Sequence, residues 1–283
     1  MAIKDVLLAL TSYPDATPDA SVDQALAFCA ALHAHVTALT FEAEVTLTRT
    51  TNVLSNMLLD LPLMMAEEKA RSAANAAHLL DTFEHSAIRL GVPHAKILDK
   101  CITFQIPDAL VEHSRLHDLT IVPMQEGYSV EQWYAETVMF GSGRPTIILP
   151  ATKTARPISF NTVVVAWDFS RSAARALADA LPVLQLAKHV RLVTITNDKK
   201  IPDTHSPAEL AQNLLRHGIA IELDILDAKG RGAGDVLTDY VQSNKADLLV
   251  MGAYGHSRIR EFVLGGATRS ILDKPPVPVF LSH

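Results

Sequence analysis

The chain repeats itself, and the repeat limits what it can fold into. Val6-Leu7-Leu8-Ala9-Leu10-Thr11 resembles Val163-Val164-Val165-Ala166-Trp167-Asp168. Each run is followed by an alanine-rich helical stretch, Ser21 to Ala34 and Arg171 to Ala187. A strand-like segment follows in each case, Val36 to Phe41 and Val190 to Thr196. Later, Asp118-Leu119-Thr120-Ile121-Val122 matches Asp247-Leu248-Leu249-Val250-Met251. The two halves end on Pro145-Thr146-Ile147-Ile148-Leu149 and Pro278-Val279-Phe280-Leu281. A correspondence that keeps its order throughout means that both halves build one plan. Pro150 to Asn161 is polar, contains Pro157 and breaks the apolar periodicity, so the boundary falls near residue 155. The expected domains are 1–154 and 155–283.

Within each half the strands are short continuous apolar runs rather than alternating ones. Such runs are buried on both faces, as parallel strands in α/β folds are. Helical stretches separate them, so right-handed βαβ crossovers are expected. The fold class is α/β: two tandem open parallel five-stranded sheets with helices on both faces, Rossmann-like. Ser206-Pro207-Ala208-Glu209 reads as a capping box with proline at the first helical position. Ser21-Val22-Asp23-Gln24 follows the same logic. Asp235 to Asn244 reads as a helix with Val236, Leu237, Tyr240 and Val241 on one face. Glu42 to Met65 has no assignment, and Met57, Met64 and Met65 are expected to pack in the core or a loop. Val6 to Leu10, between Asp5 and Tyr13-Pro14-Asp15, reads as a buried first strand rather than a leader peptide.

Composition excludes several function classes. Of 283 residues, 48% are hydrophobic, enough for a sizeable core and against wholesale disorder. The net charge of −6 leaves no basic surplus for a phosphate backbone, so no nucleic-acid partner is expected. No apolar stretch approaches the ~18 residues of a spanning helix, so no membrane role is expected. The two cysteines, Cys29 and Cys101, fit a reducing compartment, and the expected location is cytoplasmic.

In open α/β sheets, ligands bind beyond the carboxyl ends of the strands. Two such ends stand out in the second half: Ala166-Trp167-Asp168 and Met251-Gly252-Ala253-Tyr254-Gly255. Nine residues follow, His256 to Leu264, then Gly265-Gly266-Ala267-Thr268 and a helix expected over Arg269 to Asp273. This chemistry suits a polyphosphate. Glycines let the backbone approach an anion, and amides at a helix N-terminus point at it with the helix dipole behind them. Thr268 offers a hydroxyl donor or a metal-ligand oxygen. Asp168 could accept from a ribose hydroxyl or hold a metal, and equally it could cap the Arg171 helix. The glycines could also be ordinary turn residues.

The spacing Gly252-x2-Gly255-x9-Gly265 after an apolar strand, with Asp168 ending the first strand, resembles the signature of the universal stress protein family. The whole chain then resembles a tandem member with an adenine nucleotide alpha hydrolase-like fold. The resemblance implies a stress-response protein that binds one ATP in its second half. Adenine would lie near Ala166, Trp167 and the backbone of Ile195, and the ribose near Asp168 and Gly252. The phosphates would lie on Gly255, Gly265, Gly266, Ala267 and Thr268, with Met251 and His256 beside the motif glycines. Mg²⁺ would use Asp168 and Thr268. One departure is Gly266, where the family usually carries Ser or Thr. Losing that hydroxyl would weaken binding by roughly 1–2 kcal/mol.

The first half departs further. Thr11 takes the place of Asp168 and Pro123 that of Gly252, while Glu126 and Glu131 would repel phosphate. No nucleotide is expected there, and Gly141-Ser142-Gly143-Arg144-Pro145 reads as a turn after the last helix. Thr146 to Leu149 is expected to pair with Val279 to Leu281, making an internal pseudo-dimer. Association of two chains stays open.

Other chemistry has weaker support. His113 and His117 are four apart on an expected helix and could ligate zinc, as could His33 and His35. Neither Gly-x-Ser-x-Gly nor a Walker motif occurs, and no catalytic base can be nominated, although Glu261 could orient a water. The leading expectation is a nucleotide-dependent regulatory module. The alternative is an enzyme on the same fold, either a slow ATPase or a zinc or small-substrate hydrolase using the N-terminal cleft. A purely structural pseudo-dimer is a third reading.

Overall fold

The computed structural model describes residues 2–44, 61–125, 130–151, 159–197, 206–253 and 266–283. The first half runs β1 (Asp5–Leu10), α1 (Asp19–Leu32), β2 (His35–Glu44), α2 (Leu61–Leu90), β3 (His94–Ile102), α3 (Ile106–Ser114), β4 (Leu119–Met124), α4 (Val130–Gly141) and β5 (Thr146–Pro150). The second runs β6 (Thr162–Ala166), α5 (Arg171–Leu184), β7 (His189–Thr196), α6 (Pro207–Arg216), β8 (Ile221–Asp227), α7 (Ala233–Ser243), β9 (Leu248–Gly252), α8 (Gly266–Asp273) and β10 (Val279–Ser282).

Strands are parallel within each half, and the two five-stranded sheets join into one of ten. Its order is β3-β2-β1-β4-β5-β10-β9-β6-β7-β8. The join is antiparallel, with Val279 opposite Ile148, Phe280 opposite Ile147 and Leu281 opposite Thr146. Ile147 pairs with Ile121 of β4 as Phe280 pairs with Val250 of β9. The pseudo-twofold axis therefore passes through the Ile147–Phe280 pair. β5 and β10 become interior strands, which removes two exposed edges. β3 and β8 remain as the outer edges, with no fully buried residue in either, while the inner strands are mostly buried.

The continuous apolar runs cover both faces, as expected. Val6, Leu8 and Leu10 pack on one side of β1 and Leu7 and Ala9 on the other. The first of these clusters passes through the join. It includes Ile147 and Phe280 as well as Leu26 of α1 and Leu177 of α5. Phe160, at the end of the linker, packs on Phe28 of α1 with ring centroids 5.5 Å apart. Among the described residues no helix is long and apolar enough to cross a membrane.

Three local expectations change. Ser21 does not cap α1, which starts at Asp19 after Pro18. Ser21 is wholly buried inside the helix, its hydroxyl without a partner among the described residues. The unassigned stretch from Glu42 contains the end of β2 and the start of α2. Met64 lies on α2 and is 53% exposed rather than packed in a core. Met65 is half-buried there, and Met57 lies outside the described residues. Ser206 caps α6: its hydroxyl accepts from the Ala208 N–H, with Pro207 at the first helical position.

The repeat extends to hydrogen bonds. The Asp118 carboxylate accepts from the backbone N–H groups of Lys4 and Asp5 at 2.9 and 3.1 Å. Asp247 accepts from Asn161 and Thr162 at 2.8 and 2.9 Å, and from the Ser159 hydroxyl at 2.6 Å. Each aspartate clips the start of its half's first strand to the strand beside it. Asp247→Ala strands three donors and is expected to cost about 1–3 kcal/mol in urea unfolding. Asp247→Asn, which keeps an acceptor, should cost less. Equal losses from the two would show that the clip is not the cause.

Candidate functional site

β6 ends at Ala166, and the Trp167 N–H continues its ladder to the Val193 carbonyl at 2.8 Å. The chain then turns into α5. Ser170 caps that helix by accepting from the Ala173 N–H at 3.1 Å. Asp168 is therefore not the cap. Its carboxylate accepts from the Ser170 N–H at 2.9 Å, which fixes it half-buried at the carboxyl end of the strand. Between them Phe169 has φ +60°, a left-handed conformation costly for a bulky residue. Its ring meets that of Trp167 edge-on, with centroids 5.6 Å apart. The Trp167 indole N–H is buried with no acceptor among the described residues. Sequence reasoning missed Phe169, because no residue type flags a left-handed phenylalanine.

Gly252 closes β9, the strand beside β6. A Cβ there would lie 2.4 Å from both the Ala173 N and the Ser172 carbonyl carbon. The first turn of α5 thus rests directly on this glycine. Met251 points its side chain into the core. α8 (Gly266–Asp273) already includes the three residues before the expected Arg269. Gly266, Ala267 and Thr268 form the first described turn of α8. Gly266 is exposed, and a Cβ on it would meet nothing within 4 Å. Thr268 is only 4% exposed. Ile195 is half-buried near the end of β7. Gly255, His256, Gly265 and Glu261 lie outside the described residues.

Strand register identifies the matching positions of the first half. Val6 pairs with Val36 and Leu119 as Val163 pairs with Val190 and Leu248. Counting on from these pairs puts Thr11 at the place of Asp168, Pro123 at that of Gly252 and Phe41 at that of Ile195. The Phe41 carbonyl accepts from the Ser12 hydroxyl. Ser72, wholly buried on α2, has its hydroxyl 3.0 Å from that of Ser12 and accepts from the Ala43 N–H at 2.9 Å. Asn75, one turn on, donates to the Ser12 carbonyl at 2.9 Å.

The reason lies in helix length. α2 has 30 residues and α6 has 10. Their carboxyl ends match: Gly91 and Gly218 both have positive φ, and Val92 and Ile219 donate to equivalent carbonyls of Ala87 and Leu214. The extra turns of α2 are thus at its amino end, and they lie over the carboxyl ends of β1 and β2. Glu131 is buried in the first turn of α4, where a carboxylate suits the helix dipole. Burial, with Glu131 nearby, pushes the Tyr134 phenol up. Glu126 lies outside the described residues. Residues 141–145 form the expected turn, with the Ser142 hydroxyl accepting from the Arg144 N–H at 3.1 Å.

The histidine pair does not share a helix face. His113, in the last turn of α3, lies 3.6 Å from the Asp99 carboxylate. His117 lies past the helix and is buried, its Nδ1 2.9 Å from the His113 carbonyl. Among the described residues no three of His, Cys, Asp and Glu gather as a metal site. Cys29 is core, and burial pushes its thiol far up.

The model of the universal stress protein family matches residues 159–283. Residues 159–283 belong to the universal stress protein family. A universal stress protein of Synechocystis is 31% identical over 138 residues, 46% of this chain and 46% of that one. The chain thus spans under half the length of that relative. One from Thermus aquaticus is 29% identical over 136 residues, 43% of this chain and 98% of its own length. The crystal structure of a universal stress protein from Archaeoglobus fulgidus superposes with a TM-score of 0.70. It is 16% identical, covering 98% of this chain and 95% of that one, which shows the same fold across both halves. In the universal stress protein domain, Asp168 follows the end of β6, Gly252 ends the neighbouring β9, and Gly266 to Thr268 open α8.

Proposed function

We propose that the chain binds one ATP in its carboxyl-terminal domain, residues 155–283, and acts as a nucleotide-dependent regulatory module. The observation that carries this is the contrast between matched positions. In the first half the carbonyl of Phe41 is bonded by Ser12 and the position is covered by α2. In the second half the corresponding helix is 10 residues long, and Gly266, in the helix that follows β9, is exposed, with nothing within 4 Å of a Cβ placed on it. Asp168 and Gly252 would take the ribose, Ala166, Trp167 and the Ile195 backbone the base, and the motif glycines with Ala267 and Thr268 the phosphates. Mg²⁺ fits as a partner of the phosphates, since it commonly takes one or two carboxylates plus substrate oxygens. Asp168 supplies that carboxylate, while the burial of Thr268 makes it the lesser ligand.

A saturation titration with ATP is expected to give one nucleotide per chain and a raised Tm. ATP at 100 times its Kd adds about 2.7 kcal/mol of stability. Asp168→Ala should weaken binding about tenfold or more, as expected for a lost charge-assisted hydrogen bond. Two nucleotides per chain would overturn the one-site reading. Absence of both binding and Tm shift would overturn the nucleotide reading.

A further inference from the structure

Gly234 is buried in the first turn of α7, where that helix meets α8. A Cβ on it would lie 2.6 Å from the Ser270 Cβ, 2.9 Å from the Ser270 hydroxyl and 3.1 Å from the Ala267 carbonyl oxygen. Carbon atoms in contact sit at about 3.5–4.0 Å, so an alanine here would push the two helices apart by on the order of 1 Å. Ala267 and Ser270 belong to the opening turns of α8, the same turns that begin with Gly266. A further tie holds the pair: the Ser270 hydroxyl donates to the Asp235 carboxylate at 3.3 Å. The missing side chain of Gly234 therefore sets where the amides of Gly266, Ala267 and Thr268 stand relative to the sheet.

We infer that Gly234 is a positioning residue for phosphate binding, acting through the seat of α8; this rests on the nucleotide reading above. The base and ribose contacts come from β6, β7 and β9, which do not depend on the α7–α8 contact. The phosphate contacts of Gly266, Ala267 and Thr268 come from α8, which does. A shift of α8 thus discriminates against the triphosphate while leaving the nucleoside alone. Helix propensity acts in the opposite direction, since alanine is the better helix former. An effect of the steric kind is therefore separable from one on α7 itself.

The test is calorimetric titration of the full chain with ATP and with adenosine. Gly234→Ala is expected to weaken ATP about tenfold, the scale of one or two misaligned hydrogen bonds, and adenosine less than twofold. In a Ser270→Gly background the Gly234→Ala loss is expected to fall below about threefold, because the nearest atoms are then gone. Ser270→Val thickens the same contact from the α8 side. It should show the same selective loss, and it serves if Gly234→Ala does not fold. Unchanged ATP affinity in Gly234→Ala and Ser270→Val would overturn the inference. So would equal losses for ATP and adenosine, which mark a general structural defect. Wild-type protein that binds neither ligand would overturn the nucleotide reading and this inference together. Wild-type binding with unaffected variants would overturn this inference alone.

Discussion

Gly252→Ala is expected to destabilise the protein by about 3 kcal/mol or more, the upper end of overpacking effects. The added Cβ meets backbone, at 2.4 Å from the Ala173 N and the Ser172 carbonyl carbon, and backbone cannot rotate away. The Ser172 hydroxyl is also only 2.7 Å away. α5 must lift off β9, and its cap at Ser170 lies at the same point as the Asp168 carboxylate. Nucleotide binding should fall as well, through the displaced Asp168. Urea unfolding without ligand separates the two effects, because a glycine needed only for ribose contact would leave ligand-free stability unchanged. A loss below 1 kcal/mol in that measurement would refute the packing role.

Phe280→Ala is expected to cost about 3–5 kcal/mol. Phe280 is among the largest wholly buried side chains, in the middle of β10. It faces Ile147 across the antiparallel join and Val250 along β9, and its cluster takes side chains from both halves. Truncation leaves a cavity on the pseudo-twofold axis, where neither half can close it alone. The midpoint of urea unfolding should drop, and the loss should be larger than for Val279→Ala, which removes fewer atoms at the neighbouring register position. A Phe280→Ala loss of under 1 kcal/mol would mean that the join carries little of the stability.

Much of the local structure around the candidate site was legible because its signals are local. Apolar runs ending in Asp168 and Gly252 report two strand ends, and glycines before Arg269 report a helix start. The structure has Gly266, Ala267 and Thr268 already in the helix, since helical bonding depends on the backbone rather than on the first charged residue. Ser206 was readable as a cap because Pro207 follows it. Ser21 was not, because the same residue type also fits a buried helix interior. Phe169, Gly234 and Ser72 gave no warning. A left-handed φ, a close helix approach and a hydroxyl on a distant strand's carbonyl are not written in neighbouring residues.

The sequence by itself determined the repeated order of strands and helices and the parallel halves, while the pairing of Thr146–Leu149 with Val279–Leu281 came from the family resemblance. The order and the parallel halves depend on apolar periodicity and on the ends of runs, which a single chain carries along its length. Only the tertiary structure decided that the first half's cleft is covered by α2 and that Gly252 and Gly234 seat α5 and α8. Those outcomes depend on how far a helix extends over a sheet and how closely two backbones approach. Both are set by contacts between residues far apart in the chain, such as Ser72 with Phe41 and Gly234 with Ser270.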